Sequence, residues 1–167
     1  MKIKKIISSN DIALVVTTKD NIEYLATLLS DIELMSYTFS KTFTKKEAIE
    51  YINNNFNFNN NLGFSPILLN SKPIGFGGVF KFDKNSYELG YILDKRYWGK
   101  GLATKVALMQ RDYIVNRLHS AAVATTHPDN LASQRVLQKC GFEYIKDIFM
   151  PNRGERKLFE YKNGDNI

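Results

Sequence analysis

The stretch from Tyr87 to Thr104 holds the residues with the clearest chemical use. A run suited to a strand, Tyr87–Leu93, gives way to Gly99 and Gly101, and a helical apolar pattern starts at Leu102. The first turn of a helix carries N–H groups without intrahelical partners, and the helix dipole adds positive potential there. Glycines leave no side chain between those groups and an approaching phosphate. Arg96, Lys100 and Lys105 add formal charge nearby. The same glycines would also suit a tight strand-to-helix turn that binds nothing.

Three kinds of pyrophosphate binder use this geometry. A Walker loop needs G-x-x-x-x-G-K-[ST], and no such string occurs. A dinucleotide fingerprint needs a third glycine, where Thr104 stands. It also needs an acid about 20 residues on, where Ala121 and Ala122 stand.

The third kind fits. Arg96-x-x-Gly99-x-Gly101-Leu102-Ala103 resembles the Q/R-x-x-G-x-G/A signature of the GNAT superfamily of N-acetyltransferases. Glu88-Leu89-Gly90-Tyr91-x-Leu93 and the Tyr97-Trp98 pair are similar to the branch that holds the ribosomal-protein alanine N-acetyltransferases. A second segment agrees: Pro128-Asp129-Asn130-x-x-Ser133-x-Arg135-Val136-Leu137-x-Lys139-x-Gly141-Phe142 resembles that branch's N-x-x-S-x-R-V-L-E-K-x-G-F element. The resemblance covers about residues 11–162.

It implies an α+β fold: a mixed, mostly antiparallel twisted sheet, splayed into a V between two central parallel strands, with helices on both faces. Acetyl-CoA would be the cosubstrate, with no metal. Its pantetheine arm would pair with backbone groups of Ile92 and Leu93, and Asn130 would bond the arm from the other side. Its pyrophosphate would sit on Gly99, Lys100, Gly101, Leu102, Ala103 and Thr104, with Arg96 adding charge.

The implied chemistry is acyl transfer from a thioester to a primary amine, that of a protein N-terminus or of a small molecule, in a ternary complex. The amine must attack as the free base, and a lysine-like amine (reference pKa 10.4) needs a base more than an α-amine (7.7–8.0) does. The backbone N–H of Ile92 or Leu93 is the implied oxyanion donor. Glu88 is the candidate base, acting through a water; a structural cross-strand carboxylate is the competing reading. Many superfamily members protonate the thiolate with a Tyr seven residues after the Asn, but Leu137 occupies that position here. Ser133 is the branch's candidate acid, with small packing against the cofactor as the alternative. The branch's Glu after G-x-A-T is replaced by Lys105.

Other reactive residue types offer less. His119 and His127 lack clustered carboxylates at ligand spacing, so no metal site is expected. Cys140 follows Val136 and Leu137 at helical spacing, which favours a buried packing thiol over a nucleophile. Trp98 is expected to pack at the base of the glycine turn.

These groups need positioning elements. Asp11–Val16 is β-branched and reads as the first strand. Ile22, Leu25, Leu28 and Leu29 recur at helical spacing, and Ile32–Met35 suggests a short second helix. Thr44-x-x-Glu47 fits a capping box before a third helix through Ile52. The Asn-rich run 53–61 reads as compositional drift, or as a substrate-facing loop with Phe56 and Phe58 as handles. Phe64–Leu69, Ile74–Phe82 and Tyr87–Leu93 follow as an antiparallel meander. Then come a helix over Leu102–Leu118, a strand over Ala121–Thr125, a helix over Asn130–Lys139 capped by Gly141, and a closing strand pair, Phe142–Phe149 and Lys157–Tyr161.

The 167 residues are 44% hydrophobic and 24% charged, which fits one ordinary domain over 1–167 with a core at about 11–162. No run of about 18 apolar residues occurs, so no membrane partner is expected. The basic start lacks a long apolar region, which argues against a signal peptide. A single cysteine excludes an internal disulfide and suggests a reducing, cytoplasmic setting. The net charge of +6 favours an anionic partner or serves solubility alone. The charge is spread without a block, which disfavours nucleic acid. The expected assembly is a monomer or homodimer. The rival to the enzyme is a non-catalytic acyl-CoA-binding or nucleic-acid-associated module.

Overall fold

The structure is a computed structural model that describes residues 2–39 and 41–163; the expected domain limits, 1 and 167, lie outside the described residues. Eight strands form one sheet: β1 Lys5–Ser9, β2 Ile12–Val15, β3 Ser65–Leu69, β4 Lys72–Lys81, β5 Ser86–Leu93, β6 Ala121–Thr126, β7 Phe142–Met150 and β8 Gly154–Tyr161. The helices are α1 Lys19–Leu29, α2 Ile32–Met35, α3 Lys45–Asn55, α4 Leu102–Asn116 and α5 Leu131–Lys139, with a 3₁₀ turn at Lys95–Tyr97. The sheet order is β1-β2-β3-β4-β5-β6-β8-β7, and every neighbouring pair is antiparallel except β5 and β6. This is the expected α+β mixed sheet.

The apolar residues divide between the two faces. Leu89, Leu93, Val106, Ala107, Ile114 and Phe159 pack on the α4/α5 side. Leu25, Leu29, Ala48, Ile52 and Phe76 pack on the α1–α3 side. Each of the Leu, Val, Ile and Phe side chains among them stabilises the fold by about 1.5–3 kcal/mol through burial. The α3 start is the reciprocal cap read from the sequence: Glu47 N donates to Thr44 Oγ1 and Thr44 N to Glu47 Oε1, both at 3.2 Å.

Two elements differ from expectation. Strand β1 precedes the first strand read from the sequence and pairs with β2 around the turn at Asn10, where φ is 53°. Only Ile7 of β1 is buried, so an edge strand leaves almost no apolar alternation to detect. The Asn-rich run is built rather than drifted. Phe56 is buried among Phe64 and Phe76, and the buried Asn57 accepts from the backbone N–H of Asn59 and Asn61 at 3.0 and 3.1 Å. An Asn side chain that organises its own loop in this way is an Asx-type turn.

Candidate active site

The site begins where two parallel strands part. β5 and β6 pair at Ser86↔Ala121, Tyr87↔Ala122 and Glu88↔Val123, and no further. Beyond that point β5 stays with β4 as far as Leu93↔Gly75, and β6 stays with β8 as far as Thr126↔Lys157. Each strand follows its other neighbour, and the sheet opens. A cleft of about 1500 Å³ lies against this opening, and Glu88, Gly90, Ile92, Thr125, Asn130 and Ser133 all line it. Gln110 on α4 is fully buried and donates Nε2 to the carbonyls of Gly78 at 3.0 Å and Gly90 at 2.9 Å. It braces β4 and β5 beside the opening.

The glycine turn follows β5. Gly99 and Gly101 have φ of 72° and 73°, a left-handed conformation that side chains resist. A Cβ at either would meet nothing within 4 Å, so backbone conformation, not crowding, calls for glycine. Gly101 caps α4 without a side-chain bond, and the first N–H groups of α4 have no side-chain partner among the described residues. Trp98 is half exposed and ties the turn to β5 by donating Nε1 to the Leu93 carbonyl at 2.9 Å. Arg96 is not free: Nη2 sits 2.7 Å from Asp94 Oδ2, and Nε bonds both oxygens. That guanidinium holds the Asp94 carboxyl below its ordinary value, helped by the Arg96 backbone N–H and the Tyr24 hydroxyl, against burial. Arg96, Gly99, Lys100, Gly101, Leu102, Ala103 and Thr104 lie outside the cleft lining, as does Leu93.

The two walls of the opening carry different chemistry. On the α5 side, Asn130 caps the helix by accepting from Ser133 N at 3.2 Å, and its Nδ2 has no partner among the described residues. The Ser133 hydroxyl lies 3.3 Å from the Tyr91 hydroxyl. Burial pushes the Tyr91 phenol up to about 12, against a lowering by the Ser133 contact. The position of the superfamily's Tyr falls on Leu137, which is core, and Ser133 is the candidate acid; Tyr91, which the sequence reading does not single out as its partner, comes from β5, 42 residues before Ser133. Alternation along β5 signals only that Tyr91 faces away from Glu88.

On the other side, Glu88 is buried and bonded through both oxygens. Oε1 accepts from Thr125 Oγ1 at 2.8 Å and from Arg153 Nη1 at 3.0 Å, and Oε2 accepts from Arg153 Nη2 at 3.0 Å. Arg153 stands in the β7–β8 turn, where no motif marks it.

The remaining reactive types are quiet. Cys140 is buried, with its thiol pushed up chiefly by that burial, and its Sγ lies 3.7 Å from the Thr104 carbonyl. His127 accepts at Nδ1 from Asp129 N at 3.0 Å and stacks its ring 5.0 Å from Tyr37. Among the described residues no group of three or more His, Cys, Asp or Glu could hold a metal ion. No helix among them is long and apolar enough to cross a membrane.

Comparison with known proteins gives the family. The family model described as "Acetyltransferase (GNAT) domain" matches residues 12–143. The chain is 29% identical over 117 residues to the uncharacterized N-acetyltransferase YnaD of Bacillus subtilis, covering 67% of each. A GNAT-family acetyltransferase structure from Bacillus anthracis superposes with a TM-score of 0.79 at 20% identity, covering 92% of this chain and 96% of that one. The spermidine N-acetyltransferase of Vibrio cholerae, solved with CoA and spermine, gives 0.73 at 16% identity, covering 91% and 95%. These likenesses in structure show the shared fold, and the family match covers most of the chain: the protein belongs to the GNAT family of acetyltransferases.

Proposed function

We propose that this acetyltransferase moves the acetyl group of acetyl-CoA to a primary amine by direct attack in a ternary complex. The observation that carries the reading is the parting of β5 and β6 beyond Glu88 and Val123, with Ser133 and Asn130 on one wall of the opening and Glu88 on the other. An extended pantetheine arm has the amides to pair with such a strand edge. Ile92 and Leu93 are the backbone positions assigned to it, and Asn130 Nδ2 the donor from the opposite side. The N–H groups from Gly99 to Thr104 are assigned to the pyrophosphate. Lys100 adds charge there, as does Arg96, whose Nη1 makes no bond among the described residues.

Acetyl-CoA supplies an activated acyl carbon and a thiolate leaving group. The backbone N–H of Ile92 or Leu93 is the donor for the oxyanion. Ser133 donates toward the leaving sulfur. Tyr91 keeps its own proton and orients the serine, since its burial disfavours tyrosinate. Glu88 accepts the amine proton through a water at Oε2, which takes only one N–H from Arg153. An α-amine, already partly neutral near pH 8, depends on such a base less than a lysine-like amine does.

The test is release of CoA from acetyl-CoA with a panel of amino acids, peptide N-termini, polyamines and amino sugars, beside calorimetry of acetyl-CoA binding. Turnover supports the enzyme. Tight binding without turnover of any amine supports the non-catalytic acyl-CoA-binding module instead.

A further inference from the structure

Arg156 on β8 is a charged side chain held in the wall of the cleft at 7% exposure. Nη1 donates to the Tyr37 carbonyl at 2.7 Å, Nη2 to the Thr125 carbonyl at 3.1 Å, and Nε to Thr125 Oγ1 at 3.4 Å. A guanidinium has five N–H groups, so two of them have no protein acceptor among the described residues. Arg156 is in no ion pair there. Glu88, the acid on the same wall, is closed on both oxygens by Arg153. Burial, then the neighbouring Arg153, push the Arg156 guanidinium down to about 10, against a raising by Glu88. A buried guanidinium with unfilled N–H groups and no direct ion pair is held out of water at a cost, and an anion bound beside it offsets that cost.

We infer that the acceptor amine carries a carboxylate, and that Arg156 binds that carboxylate in the cleft. The inference rests on the acetyltransferase reading and narrows its substrate to an amino-acid-like amine. Thr125 supplies the spacing. Its hydroxyl lies 2.8 Å from Glu88 Oε1 and 3.4 Å from Arg156 Nε, so the acid and the uncompensated guanidinium stand one hydroxyl apart. The open positions, Oε2 of Glu88 and one N–H on each of Nη1 and Nη2 of Arg156, belong to these adjoining groups, so an amine and a carboxylate on a short spacer can reach both: the nitrogen faces Glu88 through the water and the carboxylate faces Arg156. A polycation would instead set a second positive charge against two guanidiniums. The α3 acids that also line the cleft do not reverse this, because Glu47 is committed to capping α3 and to Lys41 at 3.2 Å, and Glu50 is exposed.

The test compares matched acceptors on the wild-type protein with acetyl-CoA: glycine against glycinamide, β-alanine against its amide, and spermidine as the polycation. Rates are expressed per free amine, and the remaining difference in nucleophilicity within a pair is the same for both proteins, so the wild-type ratio is read against that of Arg156→Gln. The carboxylate member of each pair should show kcat/KM higher by about tenfold or more, the effect of a charge-assisted bond pair. Arg156→Gln should lower that ratio about tenfold, whatever it does to the rate with the amides. A guanidinium that only ties Tyr37 to β6 would leave the ratio unmoved, and that result overturns the inference. So does a wild-type ratio of one or less, or spermidine as the best acceptor, whether or not the variant folds. Any of these leaves the acetyltransferase reading standing, since turnover has been seen. Acetyl-CoA binding without turnover of any amine overturns that reading, and the inference with it.

Discussion

Arg153 closes on both oxygens of Glu88, with Nη1 and Nη2 each 3.0 Å from their acceptors. The pair joins the β7–β8 turn to the strand that lines the opening, across 65 residues of chain. A bidentate pair of this kind fixes direction as well as charge. It sets Oε2 as the lone position on Glu88 able to receive a proton through water without first breaking two bonds.

That geometry makes Glu88→Gln informative. The substitution keeps the shape and removes the charge. If Glu88 accepts the amine proton, kcat/KM should fall by about 10²–10⁴-fold where the acceptor is mainly ammonium. For an α-amine the loss should shrink as pH passes about 8. A pH-rate profile of both proteins checks this. An equal fall at every pH assigns Glu88 to holding Arg153, and a wild-type profile removes it from the reaction.

Ser133 and Tyr91 separate by magnitude. Ser133→Ala should lower kcat by about 10²-fold with acetyl-CoA affinity little changed. Tyr91→Phe removes only the hydroxyl that orients the serine and should cost about tenfold in kcat. Single-turnover kinetics and calorimetry give both readouts. In the double variant the losses should fail to add, because the two hydroxyls act as one unit.

Gly101→Glu should abolish acetyl-CoA binding while the fold survives. The φ of 73° costs a side chain about 1–2 kcal/mol, which lowers Tm by about 2–8 °C in a chain of this size. The open space beyond Gly101 accepts the side chain without a clash, and its carboxylate meets the incoming pyrophosphate. Unchanged CoA affinity in the folded variant would sink the assignment of the turn.

Asp94 predicts the acid limb of stability. Its folded-state pKa is depressed, chiefly by Arg96. Its contribution is therefore present above the unfolded value of about 3.9 and is lost as pH falls through the lower folded value. Thermal melts should show Asp94→Asn less stable than wild type near neutral pH, with the gap closing below about pH 4.

The local grammar of the chain determined much of this protein. The Thr44–Glu47 box, the glycines at 99 and 101 and the order of elements from Ile12 onward depend on neighbours within a few residues, so spacing alone carries them. The exposed strand β1 escaped because an edge strand with one buried residue has no period to read. The contents of the site's walls belonged to tertiary structure. Tyr91 meets Ser133 across 42 residues, Arg153 meets Glu88 across 65, and Arg156 meets Tyr37 across 119. Each contact exists because β8 inserts between β6 and β7 or because β5 parts from β6, and strand order is set by which faces bury together rather than by any neighbouring residues.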